Sequence, residues 1–186
     1  MKSFYSPVQT VVTVLLAGVA MWIYGCSVAE IPDVGRTDIG PRAVIKADDK
    51  TVAEILAVFH RAEEALHARD IDVLMEVYAR DYKYLDLTKD DVRKIWENLF
   101  AKYSQISSTH VFSQIVAEGR KPPTGDITCT GRLWGTSKES GERVIIDSWF
   151  FEVHHLVSEN GAWRVRGLPG EPPEVLGFPA TPHPFF

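Results

Sequence analysis

The stretch ALHARDIDVLMEVYARDY, residues 65 to 82, decides the fold. Leading into it, the apolar positions Ile55, Leu56, Phe59, Ala62 and Leu66 recur at three and four residues, the period of one helix face, while Glu54, Arg61, Glu64 and Arg69 face away. This spacing predicts a first helix that begins near Val52 and runs into the quoted stretch. Ala68-Arg69-Asp70 interrupts it, and Asp72 is placed to cap a second, shorter helix carrying Leu74, Met75, Val77 and Tyr78. Asp81-Tyr82-Lys83-Tyr84-Leu85-Asp86 reads as a brief extended piece whose aromatic residues alternate with polar ones. Thr88-Lys89-Asp90-Asp91 has capping-box spacing, with Asp at the fourth place. It opens a third helix with Val92, Ile95, Trp96, Leu99, Phe100 and Tyr103 on one face.

From Ser107 onward the pattern is that of strands: Thr109 to Val116, Asp126 to Thr136, Arg143 to Val157 and Trp163 to Arg166. The breaks between them, 119–125, 137–141 and 158–161, have turn compositions, ending in Asn160-Gly161. Sequential strands with such short breaks favour a curved antiparallel sheet, and helices followed by that sheet give an α+β class. The third strand is apolar on both parities, with Ile145, Trp149, Phe151 and Val153 on one and Val144, Ile146, Phe150 and Leu156 on the other. Helices cover one side. The other needs the C-terminal tail or a second subunit, since large apolar faces are rarely left to water. We expect a homodimer through this outer face, with the tail as its competitor. Residues 169–186 are rich in proline and make no long helix, yet Val175, Leu176, Phe178, Phe185 and Phe186 are apolar enough to lie across a sheet.

At the other end, Lys2 precedes an apolar run over residues 11 to 24. A helix of that length spans roughly 21 Å against a hydrocarbon core of roughly 30 Å, which favours a secretory signal over a lasting span. The run ends in Ile23-Tyr24-Gly25-Cys26, which resembles the lipobox of bacterial lipoproteins and implies acylation of Cys26. Plain secretion after cleavage near Ser27-Val28-Ala29 and an uncleaved anchor are the alternatives. Each places the body outside the cytoplasm, and the first in the cell envelope, anchored by lipid and facing the periplasm. The division is a signal peptide over 1–25, a tether over 26–49, a domain over 50–168 and the tail over 169–186. Cys129 is then left without a partner, as a small buried thiol.

Of 186 residues, 45% are hydrophobic, too many for a disordered chain, and a net charge of -5 without basic blocks argues against nucleic acid as a partner. No glycine-rich phosphate loop, nucleophile elbow or zinc-ligand spacing occurs, so neither a cofactor nor a metal is expected.

Residues 65–82, with a helix, an Asp-x-Asp junction, a short helix ending in Tyr and then Asp81-Tyr82, resemble the NTF2-like superfamily, also called SnoaL-like or ketosteroid-isomerase-like. Asn160-Gly161-Ala162-Trp163-Arg164-Val165 resembles the hairpin and strand near that family's C-terminal end. The resemblance covers about residues 50 to 168 and implies a cone of three N-terminal helices packed on a curved antiparallel sheet, with a pocket at its open end. The family holds isomerases, dehydratases and noncatalytic binding modules, so fold does not choose function. Carried over by position, the isomerase base falls at Asp86 and the Tyr that binds the enolate oxygen falls at Ala62, which has no donor. The sheet acid falls at Asp147 or, counted from the turn, near Glu152 or Val153. A dehydratase would pair a His with an acid, and His110 with Asp86 is the candidate pair. Tyr78, Tyr82, Tyr84 and Trp134 are candidates to line an amphipathic pocket. His154 and His155 point to opposite faces and do not form a metal pair. The reading favours a noncatalytic module that binds a small apolar or amphipathic ligand or a partner. The alternative is an isomerase or dehydratase that abstracts a proton next to a carbonyl.

Overall fold

A computed structural model describes residues 35–119 and 121–167, and the backbone of 174–175 and 178–179. The expected signal peptide, Cys26 and most of the C-terminal tail lie outside these residues. Helix α1 (Asp49–Ala68) starts at Asp48, whose carboxylate accepts from Thr51 N at 2.9 Å, and it buries Ile55, Phe59, Ala62 and Leu66 along the expected stripe. Burying Ile55, Phe59 and Leu66 contributes about 1.5–3 kcal/mol each. Arg69, left-handed at φ 58, ends the helix, and its guanidinium reaches the carbonyls of Phe100 and Tyr103. Helix α2 (Ile71–Met75) follows at once. Its cap is Asp70 and not the expected Asp72: the Asp70 carboxylate accepts from both Asp72 N and Val73 N at 3.1 Å, because the αL turn at Arg69 brings Asp70 to the open amides first.

Strands β2 (Lys83–Tyr84) and β3 (Leu87–Thr88) make a two-residue hairpin ladder that delivers the chain to helix α3 (Lys89–Lys102). The expected capping box is present, with Thr88 Oγ1 accepting from Asp91 N and the Asp91 carboxylate accepting from Thr88 N at 3.1 Å. Those Thr88 hydrogen bonds, side chain first, hold the exposed Asp91 carboxyl down at about 2. Helix α3 ends at Lys102, one residue before the expected Tyr103. Tyr103 already has an extended backbone and begins strand β4 (Tyr103–Glu118).

Strands β5 (Thr124–Ser137), β6 (Arg143–Glu159) and β7 (Ala162–Val165) complete an antiparallel meander, with positive φ at Asn160 and Gly161 in the tight turn before β7. The unexpected element is strand β1 (Arg36–Lys46), inside the segment read as a tether. It pairs in parallel with β4, so the sheet order is β1-β4-β5-β6-β7. Gly40-Pro41 breaks its ladder into two short pieces, Arg36 to Ile39 and Val44 to Lys46, and so erases any sustained alternation. The result is an α+β fold whose curved sheet is mostly antiparallel, with α1 crossing β4, β1 and β7. Strands β8 (Glu174–Val175) and β9 (Phe178–Pro179) pair with each other in the tail. No helix among the described residues is long and apolar enough to cross a membrane.

Candidate functional site

Register assigns the two sheet faces. Phe112, Cys129 and Glu152 form one cross-strand row, His110, Gly131 and Trp149 the next, and Ser108, Leu133 and Asp147 a third; Phe112, Cys129 and Leu133 belong to the core, so these rows face the helices. A bulge at Phe150-Phe151, where Phe151 has φ 54, shifts the parity of β6. Trp149 therefore points inward, Phe150 and Phe151 both point out, and Glu152 and His154 point in again. The strict alternation read from the sequence, which set Phe151 beside Trp149, fails at this bulge, and Asp147 and Glu152 share the inner face.

On that face the buried polar groups form two clusters linked by aromatic contacts. Glu63, on the buried stripe of α1, accepts from Thr37 Oγ1 of β1 at 2.5 Å and lies 3.9 Å from His110 Nδ1. The His110 ring, 1% exposed, packs on Phe59 and Trp149 at centroid distances of 5.1 and 5.0 Å. Beyond it, Cys129 Sγ takes the Trp149 indole N–H at 3.1 Å and meets His154 Nε2 at 3.0 Å. Burial first, and the Glu152 charge to a lesser extent, push the Cys129 thiol up to about 12 against the Trp149 hydrogen bond. Burial of this kind favours the neutral thiol over the thiolate. Burial, and next the charge of Glu152, also raise the Tyr84 hydroxyl. That hydroxyl and the one on Ser108 are buried without a hydrogen-bond partner among the described residues.

The sequence-derived candidates separate. His110 is inside as a titratable group on the inner face, but its acid is Glu63 and not Asp86. Asp86 sits exposed in the β2–β3 turn beside Leu85, whose φ is 51, because the hairpin turns its tip to solvent. Asp147 is half-buried on the inner face and accepts from Ser148 N at 2.7 Å. Tyr78 is fully buried, with its hydroxyl accepting from Trp96 Nε1 at 2.8 Å, and Tyr82 stacks edge-on against it at 5.0 Å. Both belong to the core, though Tyr78 also contributes to the wall of a depression near Arg80 and Lys89, and burial raises the Tyr82 hydroxyl. Trp134 departs from the expected pocket altogether. It follows inward-facing Leu133, pairs with exposed Ile145 and lies under the Arg132 guanidinium at 5.7 Å, all on the outer face. His154 and His155 point to opposite faces as expected, His155 meeting Asp126 at 2.7 Å outside.

The sequence reading missed Glu63. It stands four residues after Phe59 and three before Leu66, and a charge on an apolar stripe is the signal that finds it.

No family model matches the chain, and no curated protein matches it. Solved structures do. A conserved protein from Planctomyces limnophilus DSM 3776 superposes with a TM-score of 0.53 at 16% identity, over 64% of this chain and 94% of that one. Aln2 from a Streptomyces species gives 0.51 at 13%, over 66% and 90%. The fold is NTF2-like. A Novosphingobium aromaticivorans DSM 12444 protein, provisionally named a scytalone dehydratase, gives 0.50 at 11% identity over 63% and 80%. Identities this low carry the NTF2-like fold and nothing about chemistry. Ala62, the position onto which the sequence resemblance carries the isomerase Tyr, is 1% exposed.

Proposed function

We propose that this chain is an exported, lipid-anchored, noncatalytic NTF2-like binding module, a cone of three helices on a curved sheet that pairs with a second copy through its outer sheet face. One observation carries the reading: the bulge in β6 turns both Phe150 and Phe151 outward, 76% and 56% exposed, with ring centroids 4.5 Å apart. Val153, Val111 and Val44 extend the exposed apolar surface across β6, β4 and β1. A two-fold pair would bury that surface. Export and acylation at Cys26 rest on the lipobox-like end of the apolar N-terminal run, and the envelope placement follows from it. Light scattering on the chain in mild detergent tests the pairing. A dimer that becomes a folded monomer on Phe150→Ser/Phe151→Ser substitution supports the reading, and a monomeric parent chain overturns it. An intact mass lacking acyl groups on Cys26 overturns the anchor.

A second reading is supported by the approach of Glu63 to His110. A buried imidazole with a carboxylate 3.9 Å away is the residue pair that proton abstraction next to a ketone uses. Hydrogen–deuterium exchange of small cyclic ketones decides it: a rate above buffer that is lost in His110→Ala favours the enzyme, and exchange at the buffer rate removes it.

A further inference from the structure

At the corner where the end of α2 meets the β6–β7 hairpin, two depressions of about 200 and 280 Å³ share Glu76, Ala162 and Arg164 in their walls. The first sets Val58, Val77 and Trp163 beside the paired Arg61 and Glu76, 3.5 Å apart, and Trp163 is pinned by its indole N–H donating to Glu54 at 3.2 Å. The second gathers Arg80, Lys89 and Arg164 against the carboxylates of Glu76 and Glu159. The Lys89 ammonium spends one N–H on the Tyr78 carbonyl at 2.7 Å, which leaves two donors. Arg80 and Arg164 converge on Glu159 at 3.6 and 3.9 Å. Three cations against two carboxylates leave one unit of positive charge in this recess. Burial first, and then the Arg164 charge, lower the Lys89 pKa against the pull of Glu159 and Glu76.

We propose that this corner binds a small amphipathic carboxylate, its anionic group between Lys89 and Arg164 and its apolar body along Val58, Val77 and Trp163. The net single charge fits a monoanion better than a phosphate dianion, which the two wall carboxylates would repel. The planar guanidinium of Arg164 matches a carboxylate edge. The site is separate from the inner-face cluster and the outer sheet face, so it stands or falls independently of the function proposed above.

The test is titration of the full chain with benzoate, its neutral analogue benzamide and inorganic phosphate, followed by NMR at the Trp163 indole N–H and the Gly161 and Ala162 amides. Benzoate should shift these signals saturably and benzamide should bind about tenfold more weakly, as expected for loss of charge-assisted hydrogen bonds. Lys89→Met and Arg164→Gln should each weaken benzoate about tenfold. Arg80→Gln alters an exposed side chain and spares the fold; it should weaken binding by a smaller factor, and Glu159→Gln should tighten it. Benzamide binding as well as benzoate, phosphate binding more tightly than benzoate, benzoate shifts confined to Trp149 and the inner face, or no shift at all would each overturn the proposal.

Discussion

On the inner face of β6, Trp149 is 5% exposed and gives its indole N–H to a buried sulfur; one residue on, across the sheet, Phe150 is 76% exposed. The two side chains are of similar size and chemistry, and the strand that carries them is one strand. What separates them is position relative to the helices. A single bulge then doubles the contrast by sending Phe151 outward as well, while returning Glu152 and His154 to the interior. The comparison teaches that the same strand packs Trp149 against His110 and Cys129 on the inner face and leaves a broad apolar surface open to water on the outer one.

Stability should divide in the same way. Trp149→Ala is expected to destabilise the fold by about 3–5 kcal/mol, since it opens a cavity and strips Cys129 of its indole donor. Phe150→Ala is expected to change stability by no more than about 0.5 kcal/mol. Chemical denaturation of both variants checks this, and equal costs would break the comparison. Next in size is Glu63→Ala, which leaves the Thr37 hydroxyl without its acceptor and removes the carboxylate beside His110. A loss of about 1–3 kcal/mol is expected, with β1 loosened first, visible as faster amide exchange at Thr37 and Ile39. A protected β1 in that variant would mean that Glu63 does not hold the strand.

The smallest effect belongs to a site on neither face. The Asp91 carboxyl is held at about 2 in the fold against 3.8 unperturbed. A depressed carboxyl contributes stability that is fully present above its unfolded value and is lost as pH falls through its folded value. The difference between parent and Asp91→Asn should therefore be largest above pH 4 and shrink toward pH 2, in thermal melts across that window. A difference that stays constant with pH would show that the capping carboxylate is not what titrates.

What the sequence made legible was what local chemistry decides. The stripe of α1, the Thr88–Asp91 capping box, the tight turn at Asn160-Gly161 and the opposite facing of Trp149 and Phe150 all follow from neighbours in the chain. Strand β1 was illegible because Gly40-Pro41 splits it into pieces held by β4, a partner some seventy residues away. The bulge at Phe150-Phe151 was illegible for the same reason, since two residues oppose one only when β5 is alongside, and with it went the sorting of Asp147 and Glu152. Trp134 was assigned to the pocket from residue type alone, without the register that puts it outside. Glu63 was legible in principle, but a count of apolar positions passes over the charged one among them.

Pairing through the outer faces requires that those faces meet. In intact cells expressing Val153→Cys or Val111→Cys chains, with Glu64→Cys on the exposed side of α1 as the comparison, a short bismaleimide reports it directly, and Cys129 is too deeply buried to react. Cross-linked dimers from Val153→Cys and Val111→Cys, absent from Glu64→Cys and lost when Phe150→Ser is added, are the predicted result. Dimers from Glu64→Cys alone, or from none of the three, would contradict it.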